Sequence, residues 1–317
     1  LQGSAIVASS LETDVLPLRV RGYKVSDLDE LCASGEVVWV GAGALGSGDG
    51  RVRLFFADQL ALLAPAIEWP DPPDGELHDA LRAALAQRGA LFFSQLRAAA
   101  PAATDAEVLA ALCDLVWAGQ VTNDTVAPLR AVIAGGKSST TRTSPRMQTR
   151  GARPRPGRLS RIGPPTGAGR WSLVAPLLLP APTQTESAHA FALQMLERHG
   201  VVTREAVLAE GAVGGFASVY GILKTMEERG AVRRGYFVDG LGAAQFALPG
   251  AVDRLRDVRA PIDSELHPES APAPVVLAAT DPAQPYGASL AWPWDHGGFH
   301  FGFAKALSAT LWIGLVL

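Results

Sequence analysis

The chain has 317 residues, of which 48% are hydrophobic, so it can bury more than one core and has the length of two or three domains. Its net charge of -3 excludes a general attraction to polyanions, and a nucleic-acid surface would need local clusters of basic residues. Cys32 and Cys113 lie in apolar helical patterns without zinc or disulfide spacing, which favours a cytoplasmic protein. No basic segment followed by an apolar run opens the chain, and we expect neither a signal peptide nor a membrane partner.

The first predicted unit is a helix over 26–34 that Gly35 ends, because glycine adopts the left-handed conformation without steric cost. A strand hairpin of 36–41 and 51–56 follows, joined by the glycine-rich stretch 42–50. Glycine-rich loops can bind phosphates, but here no Gly-Lys-Ser/Thr follows and the next element is a strand. We therefore interpret the stretch as the turn of a wing hairpin.

The second unit repeats this pattern over a longer stretch. One helix ends at Gly89, and a longer helix ends at Gly119, where a strand begins. Thr104 and Glu107 have the spacing of a capping box, which predicts that the longer helix starts near Asp105.

The stretch from Gly135 to Arg170 has nine basic residues and no acidic one, so removing +9 from -3 leaves -12 for the rest of the chain. Pro, Gly, Ser and Thr fill the gaps, a composition typical of disordered linkers. Such a segment can neutralise phosphates and release counterions, and the alternative is a solvated linker without a partner. The candidate nucleic-acid-binding residues in it are Lys137, Arg142, Arg146, Arg150, Arg153, Arg155 and Arg158.

The third unit has the same helix-ending glycines, Gly200 and Gly230, which lie 30 residues apart as Gly89 and Gly119 do. Before the last glycine of each unit, apolar residues three apart share one helical face. These pairs are Leu28 and Leu31, Leu112 and Leu115, and Leu223 and Met226. This order of helices, glycine turn and strand hairpin predicts a winged helix-turn-helix, repeated in tandem. The alternative is an α+β spacer or protein adaptor.

The predicted wing of the third unit places Arg233 and Arg234 beside Tyr236 and Phe237 at the start of a strand. Arginine can contact phosphate, and aromatic rings can stack on unpaired bases. Because side chains alternate along a strand, one ring belongs to the core, and we predict that Tyr236 points outward. Arg233, Arg234 and Tyr236 are therefore further candidates for nucleic-acid binding.

No spacing of His, Cys, Asp or Glu predicts a catalytic group or a metal site. The six histidines are scattered, and the sequence has no nucleophile elbow, kinase loop or helicase motor motif. Asp239 and Asp281 are single carboxylates without a placed partner, and Asp281-Pro282 is most simply a turn. We therefore expect no catalytic residue and no cofactor in this chain.

Eight motifs together resemble the C-terminal, non-motor region of the large helicase-related (Lhr) family, over about residues 5 to 294. They are LPLRVRGY at 16–23, LCASGEVVWVG at 31–41, DLVWAGQVTN at 114–123, GRWSL at 169–173, VTREAV at 202–207, RRGYF at 233–237, GAAQFALPG at 242–250 and ATDPAQPYG at 279–287. Their combination is specific to that family.

The resemblance implies a parent protein that is an ATP-dependent DNA helicase, moving 3′ to 5′ and linked to DNA repair. It implies winged helices followed by a β-barrel, an arrangement similar to that of bacterial DNA glycosylases that excise alkylated bases. The implied partners are single-stranded or junction DNA and the helicase motor in cis, with RNA as an alternative; ATP and Mg²⁺ would belong to the motor. Two other functions remain open: a glycosylase-like module for uracil or alkylated bases, and a structural module that forms a homo-oligomer.

The sequence departs from the family in two places. It begins with Leu1 and has no motor motif, so we expect it to start inside a longer protein and assign it no helicase activity. After Trp294 the family pattern stops, and we expect a frame break there rather than a membrane anchor. The predicted fold is α+β, with tandem winged-helix domains and the start of an incomplete β-barrel. The predicted segments are a partial winged helix with a wing hairpin (1–68), a winged helix (69–134), a basic disordered linker (135–170), a winged helix (171–262), a barrel start (263–295) and a non-family tail (296–317).

Overall fold

The computed structural model describes residues 1–46, 48–135, 164–242, 244–259, 276–287, 290 and 313–315. Three three-stranded antiparallel sheets follow one another along the chain, each beside helices, which is the mixed α and β content that the sequence predicts. Within these ranges, no helix combines the length and apolar character needed to cross a membrane.

Local sequence signals set the helix ends as predicted. The Glu107 amide donates to Thr104 Oγ1 at 3.3 Å, and the Thr104 amide donates to Glu107 Oε2 at 2.6 Å, which completes a capping box. Gly35, Gly119 and Gly230 have φ angles of 79°, 72° and 74°, the left-handed conformation that ends a helix.

The first unit, residues 1–68, has a helix-turn-helix and a sheet with the strand order β1-β3-β2. Its last strand lies in the centre, as in a winged helix. The sequence predicted only one helix and a hairpin here, whereas the structure adds a strand and a helical stretch before residue 20. The elements are β1 (Ile6–Val7), α1 (Ala8–Ser10), a π-helical turn (Leu11–Val15), α2 (Leu16–Arg19), α3 (Val25–Ser34), β2 (Val37–Leu45), β3 (Asp49–Phe56), α4 (Ala57–Leu63) and a 3₁₀ turn (Ala64–Ala66).

The wing hairpin of the first unit is longer than predicted. Pairing continues beyond Gly41, across an irregularity, to Leu45 opposite Asp49. Strand pairing therefore extends into the stretch 42–50 that was predicted as the turn. Sequence reasoning missed the extra pairing because Gly and Ala give no alternating pattern from which a strand can be predicted.

The second unit, residues 69–173, has the complete order of winged-helix elements. Its sheet has the strand order β4-β6-β5, again with the last strand in the centre. The elements are α5 (Glu76–Arg88), β4 (Leu91–Phe92), α6 (Phe93–Ala99), α7 (Asp105–Trp117), β5 (Val121–Asn123), α8 (Ala127–Ile133), a 3₁₀ turn (Pro165–Gly167) and β6 (Arg170–Leu173).

Strand β6 corrects a predicted domain boundary. Trp171 pairs with Leu91 of β4 on one side and with Asn123 of β5 on the other. Arg170, predicted as the last residue of a linker between two domains, thus lies in a strand of the second unit's sheet. The segment that joins β5 to β6, which is the wing by its place in the chain order, belongs to the second unit. The third unit begins after β6 rather than at residue 171. A four-residue strand is too short for its periodicity to reveal partners that are distant along the chain.

The third unit, residues 174–259, is a winged helix with the strand order β7-β9-β8. Thr183 and Glu186 form a capping box at the start of its first helix. The elements are a 3₁₀ turn (Ala175–Leu178), α9 (Gln184–His199), β7 (Val201–Val202), α10 (Arg204–Ala209), α11 (Phe216–Glu228), β8 (Arg233–Gly235), β9 (Gln245–Ala247) and α12 (Pro249–Arg259).

The first and second units share one hydrophobic core. Trp39 of β2 belongs to the same buried cluster as Leu112 of α7 and Trp171 of β6. The backbones also touch, because a Cβ added at Gly41 would lie 2.0 Å from the carbonyl oxygen of Val116. A second buried cluster joins α4 to α9 and α11 of the third unit. The three units are therefore packed against one another rather than strung on linkers.

A C-terminal segment returns to the first unit. Strand β10 (Val276–Ala278) pairs with β11 (Ile313–Leu315), and Asp281 follows β10. The Asp281 carboxylate is fully buried and lies 2.5 Å from Arg19 Nη2. Its Oδ1 also accepts from the Ala283 amide at 2.7 Å, as in the predicted turn. Most of the predicted barrel start and tail lies outside the described residues, and both stay predictions.

Candidate nucleic-acid interface

Charge distinguishes the helices that occupy the recognition position, which is the second helix of each helix-turn-helix. Helices α3 and α7 contain no lysine or arginine, and they expose acidic side chains such as Glu30 and Asp114. Acidic faces repel phosphates. The exposed face of α11 carries Lys224 among small residues, Ala217, Ser218, Gly221 and Thr225, and at the helix end Glu228, whose Oε1 lies 3.9 Å from Lys224 Nζ. Of the three helices, α11 is therefore the one suited to approach a nucleic acid.

Helix α3 also makes contacts with α8, the helix inside the second unit's wing. Arg130 of α8 lies 2.5 Å from Glu12 Oε2 and 2.7 Å from Asp29 Oδ2 of α3. The Val126 amide donates to the other Asp29 oxygen at 2.8 Å, and Tyr23 Oη donates to Glu12 at 2.6 Å. The first unit thus uses its recognition helix to hold a neighbouring unit, as in the protein-adaptor alternative.

Electrostatics reinforce this contact. Burial and the hydrogen bond to Glu12 raise the pKa of Tyr23 above its ordinary value. The pKa of Arg130 is raised overall. Burial alone would lower this pKa, but hydrogen bonds to the Glu12 and Asp29 carboxylates outweigh that effect. Burial also raises the pKa of the Cys32 thiol on α3 to about 12, so this cysteine is a core residue rather than a nucleophile.

The third wing presents the residues that the sequence singles out. Arg233 and Arg234 are exposed on β8, and the nearest carboxylate to Arg233 is that of Asp253, at 3.9 Å. Tyr236 is 80% exposed, while Phe237 is partly buried, which confirms the predicted orientation of the two rings. This wing therefore offers two cations and one free aromatic face to solvent beside α11.

The wing of the second unit leaves its sheet through a tightly bonded stem. Asn123 Nδ2 donates to the Ala168 carbonyl at 2.9 Å, and Asp124 accepts from the amide and Nε of Arg170, both at 2.7 Å. Gly169 has a φ of 76°, and a Cβ there would lie 2.1 Å from Asn123 Oδ1. The stem thus fixes the C-terminal end of the basic stretch to the end of β5. The seven basic candidates Lys137, Arg142, Arg146, Arg150, Arg153, Arg155 and Arg158 lie outside the described residues.

A buried ionic cluster fixes the third unit against the first. Glu210 Oε1 lies 2.5 Å from Arg198 Nη1, and the Glu210 carbonyl accepts from Arg53 at 3.3 Å. The pKa of Glu210 is lowered overall. Burial alone would raise this pKa, but the His199 hydrogen bond and the Arg198 charge outweigh that effect. Burial lowers the pKa of Arg53 to about 10, and its guanidinium lies 5.9 Å from the Trp69 ring centre. Sequence patterns do not predict this cluster, because Arg53 and Glu210 are 157 residues apart along the chain.

Residues 1–57 and 181–266 each match a winged-helix domain of the large helicase-related protein. The chain belongs to the large helicase-related (Lhr) family. A Mycolicibacterium smegmatis protein named Lhr helicase/probable uracil glycosylase is 46% identical over 310 residues, or 93% of this chain. An Escherichia coli protein named Lhr helicase/uracil glycosylase is 40% identical over 306 residues, or 92% of this chain. The chain spans 19% of the length of each relative.

The described residues contain no group of three or more His, Cys, Asp or Glu side chains that could hold a metal ion. Asp281, one of the two carboxylates considered from the sequence, pairs with Arg19 and holds the C-terminal segment in place. Asp239 lies exposed on the third wing, where its Oδ1 accepts from the Gly240 amide at 2.9 Å. Both carboxylates thus have structural partners.

Proposed function

We propose that this chain is a nucleic-acid-binding region of a cytoplasmic, ATP-dependent DNA helicase that acts in DNA repair. Its third unit contacts single-stranded or junction DNA through α11 and the third wing, and the motor that it serves lies in cis. The carrying observation is that the third unit alone combines a basic residue on its recognition helix, Lys224, with the exposed Arg233 and Arg234 on its wing, while α3 and α7 have no lysine or arginine. ATP and Mg²⁺ belong to the motor and have no role in this region.

The basic stretch of the second wing is the second contact in this proposal. Its candidates, Lys137, Arg142, Arg146, Arg150, Arg153, Arg155 and Arg158, carry seven positive charges. The pair of Asp124 and Arg170 supports the proposal, because it ties the C-terminal end of the stretch to the second unit's sheet. Wings contact phosphates without reading bases, so we expect binding that is independent of sequence.

Salt dependence of binding tests the proposal. Affinity for a fluorescein-labelled oligothymidylate, measured by anisotropy, should fall steeply as salt rises. Arg233→Ala combined with Arg234→Ala should reduce the slope of log K against log salt by up to about two units. The matched control is Arg21→Ala with Arg88→Ala, two exposed arginines outside the third unit, which should keep the parent slope. Absence of binding at low salt, or a parent slope in the wing variant, contradicts the proposal.

A uracil glycosylase activity is the second candidate, and the names of both relatives favour it. A uracil-containing oligonucleotide, incubated with the chain and then treated with alkali, detects base excision as strand cleavage. We expect no cleavage from this chain, since no spacing of its residues predicts a catalytic group. Turnover above a protein-free control would establish this activity instead. A defined homo-oligomer without DNA affinity, measured by light scattering, would favour the structural alternative.

A further inference from the structure

One buried side chain organises the third wing. Gln245, the first residue of β9, is 1% exposed. Its Oε1 accepts from the amides of Phe237 and Val238, both at 2.8 Å, and its Nε2 donates to the Val238 carbonyl at 2.9 Å. Longer contacts of 3.4–3.5 Å reach the carbonyls of Gly242 and Leu241. The loop from 236 to 242 is thus wrapped around a single amide group.

These bonds fix the backbone directly after Tyr236. Only Asn and Gln side chains carry an acceptor oxygen and an amide donor on the same group, so few replacements could satisfy both kinds of partner. Two consecutive amides that point to one oxygen hold the chain in a single turn. The Phe237 ring closes over Gly235, with its Cζ 3.1 Å from where a Cβ at Gly235 would stand. With Phe237 held inward, Tyr236 is left facing solvent at 80% exposure.

We propose that Gln245 is a positioning residue that holds Tyr236 outward as a platform for an unpaired nucleobase. This inference rests on the proposed nucleic-acid binding and names the ligand of one residue in it. A ring that already faces outward loses less conformational freedom on binding than a ring on a loose loop. Stacking on an aromatic ring is worth about five- to 150-fold in affinity per base, so loss of the platform is measurable.

A double-mutant cycle tests whether Gln245 acts through Tyr236. The dissociation constant for oligothymidylate is measured for the parent, Gln245→Leu, Tyr236→Ala and the double variant. We expect each single variant to bind at least about fivefold more weakly, and the double variant to bind no more weakly than Tyr236→Ala. Losses that multiply in the double variant, or parent affinity in Gln245→Leu, would overturn the proposal. Gln194→Leu, at a partly buried glutamine of α9, is the matched control and should bind like the parent.

A readout that does not depend on binding separates this inference from the proposed function. Hydrogen exchange at the Phe237 and Val238 amides should be faster in Gln245→Leu than in the parent, with the α11 amides unchanged. Unchanged exchange in the wing would overturn the inference whether or not the parent binds DNA. If Gln245→Leu fails to fold, Gln245→Glu decides the matter, because it keeps the acceptor and loses the donor to the Val238 carbonyl. It should bind oligothymidylate more weakly than the parent, and equal affinity would count against the proposal.

Discussion

Glu210→Gln tests the buried cluster that joins the first and third units. The side chains of Glu210 and Arg198 are 8% and 6% exposed, so water has little access to the Arg198 cation once the Glu210 charge is removed. Removing one partner of a buried ion pair leaves the other uncompensated, at a cost of roughly 3–5 kcal/mol. Arg53 adds a second buried cation, which increases the need for the carboxylate. We therefore expect a loss of this size in the free energy of unfolding at neutral pH.

The pH dependence of this loss has a definite sign. The pKa of Glu210 is lowered in the folded protein, so its stabilising contribution is complete above the ordinary glutamate pKa of roughly 4.3. The contribution disappears as pH falls through the lowered value. The difference between parent and Glu210→Gln should therefore be largest near neutrality and shrink at acid pH.

Urea denaturation followed by far-ultraviolet circular dichroism measures both effects. Glu197→Gln is the control, because Glu197 is exposed on α9, and surface substitutions usually change stability by no more than about 0.5 kcal/mol. A Glu210→Gln variant as stable as Glu197→Gln at neutral pH would refute the account of the cluster. So would a loss that grows as pH falls.

Two further substitutions test the assignment of elements to units. Trp171→Ala should lower the free energy of unfolding, measured by urea denaturation, by roughly 3–5 kcal/mol, because Trp171 lies in the shared core. Trp171→Phe should lower it by less than about 1.5 kcal/mol, since the buried indole N–H has no partner among the described residues. Equal losses in the two Trp171 variants would contradict this placement of β6. Arg130→Met should lower the free energy of unfolding by roughly 1–3 kcal/mol and speed hydrogen exchange in α8, because it removes the bonds to Glu12 and Asp29. Unchanged exchange would mean that packing alone holds α8.

Local signals in the sequence predicted helix ends and repeat order, and they failed where partners were distant. The capping box at Thr104 and the left-handed Gly119 depend on neighbouring residues, so the pattern was sufficient. The place of β6 depends on pairing with Leu91 and Asn123, which nothing in its four residues specifies. The sequence therefore predicts a linker between domains where the chain joins two strands of one sheet.

In the candidate interface, too, local sequence signals predicted what depends on neighbouring residues and missed what depends on distant ones. Strand alternation, a local rule, predicted the outward orientation of Tyr236, although β8 ends at Gly235 and the ring lies in the loop that follows. The role of Gln245 did not, because a glutamine in a short strand is usually read as a surface residue. Its burial becomes apparent only when the wing folds back over β9. The acidic character of α3 and α7 was visible in the sequence, and the structure adds which of those carboxylates are exposed.

Photo-cross-linking of an oligonucleotide that carries 5-iodouracil tests the central claim most directly, because it reports which residues touch the nucleic acid. After digestion, mass spectrometry should find cross-linked peptides from the third wing, including Tyr236, and from α11, and Tyr236→Ala should lose the wing cross-link. Cross-links confined to α3 or α7, with none in the third unit, would contradict the claim that the third winged helix forms the nucleic-acid interface.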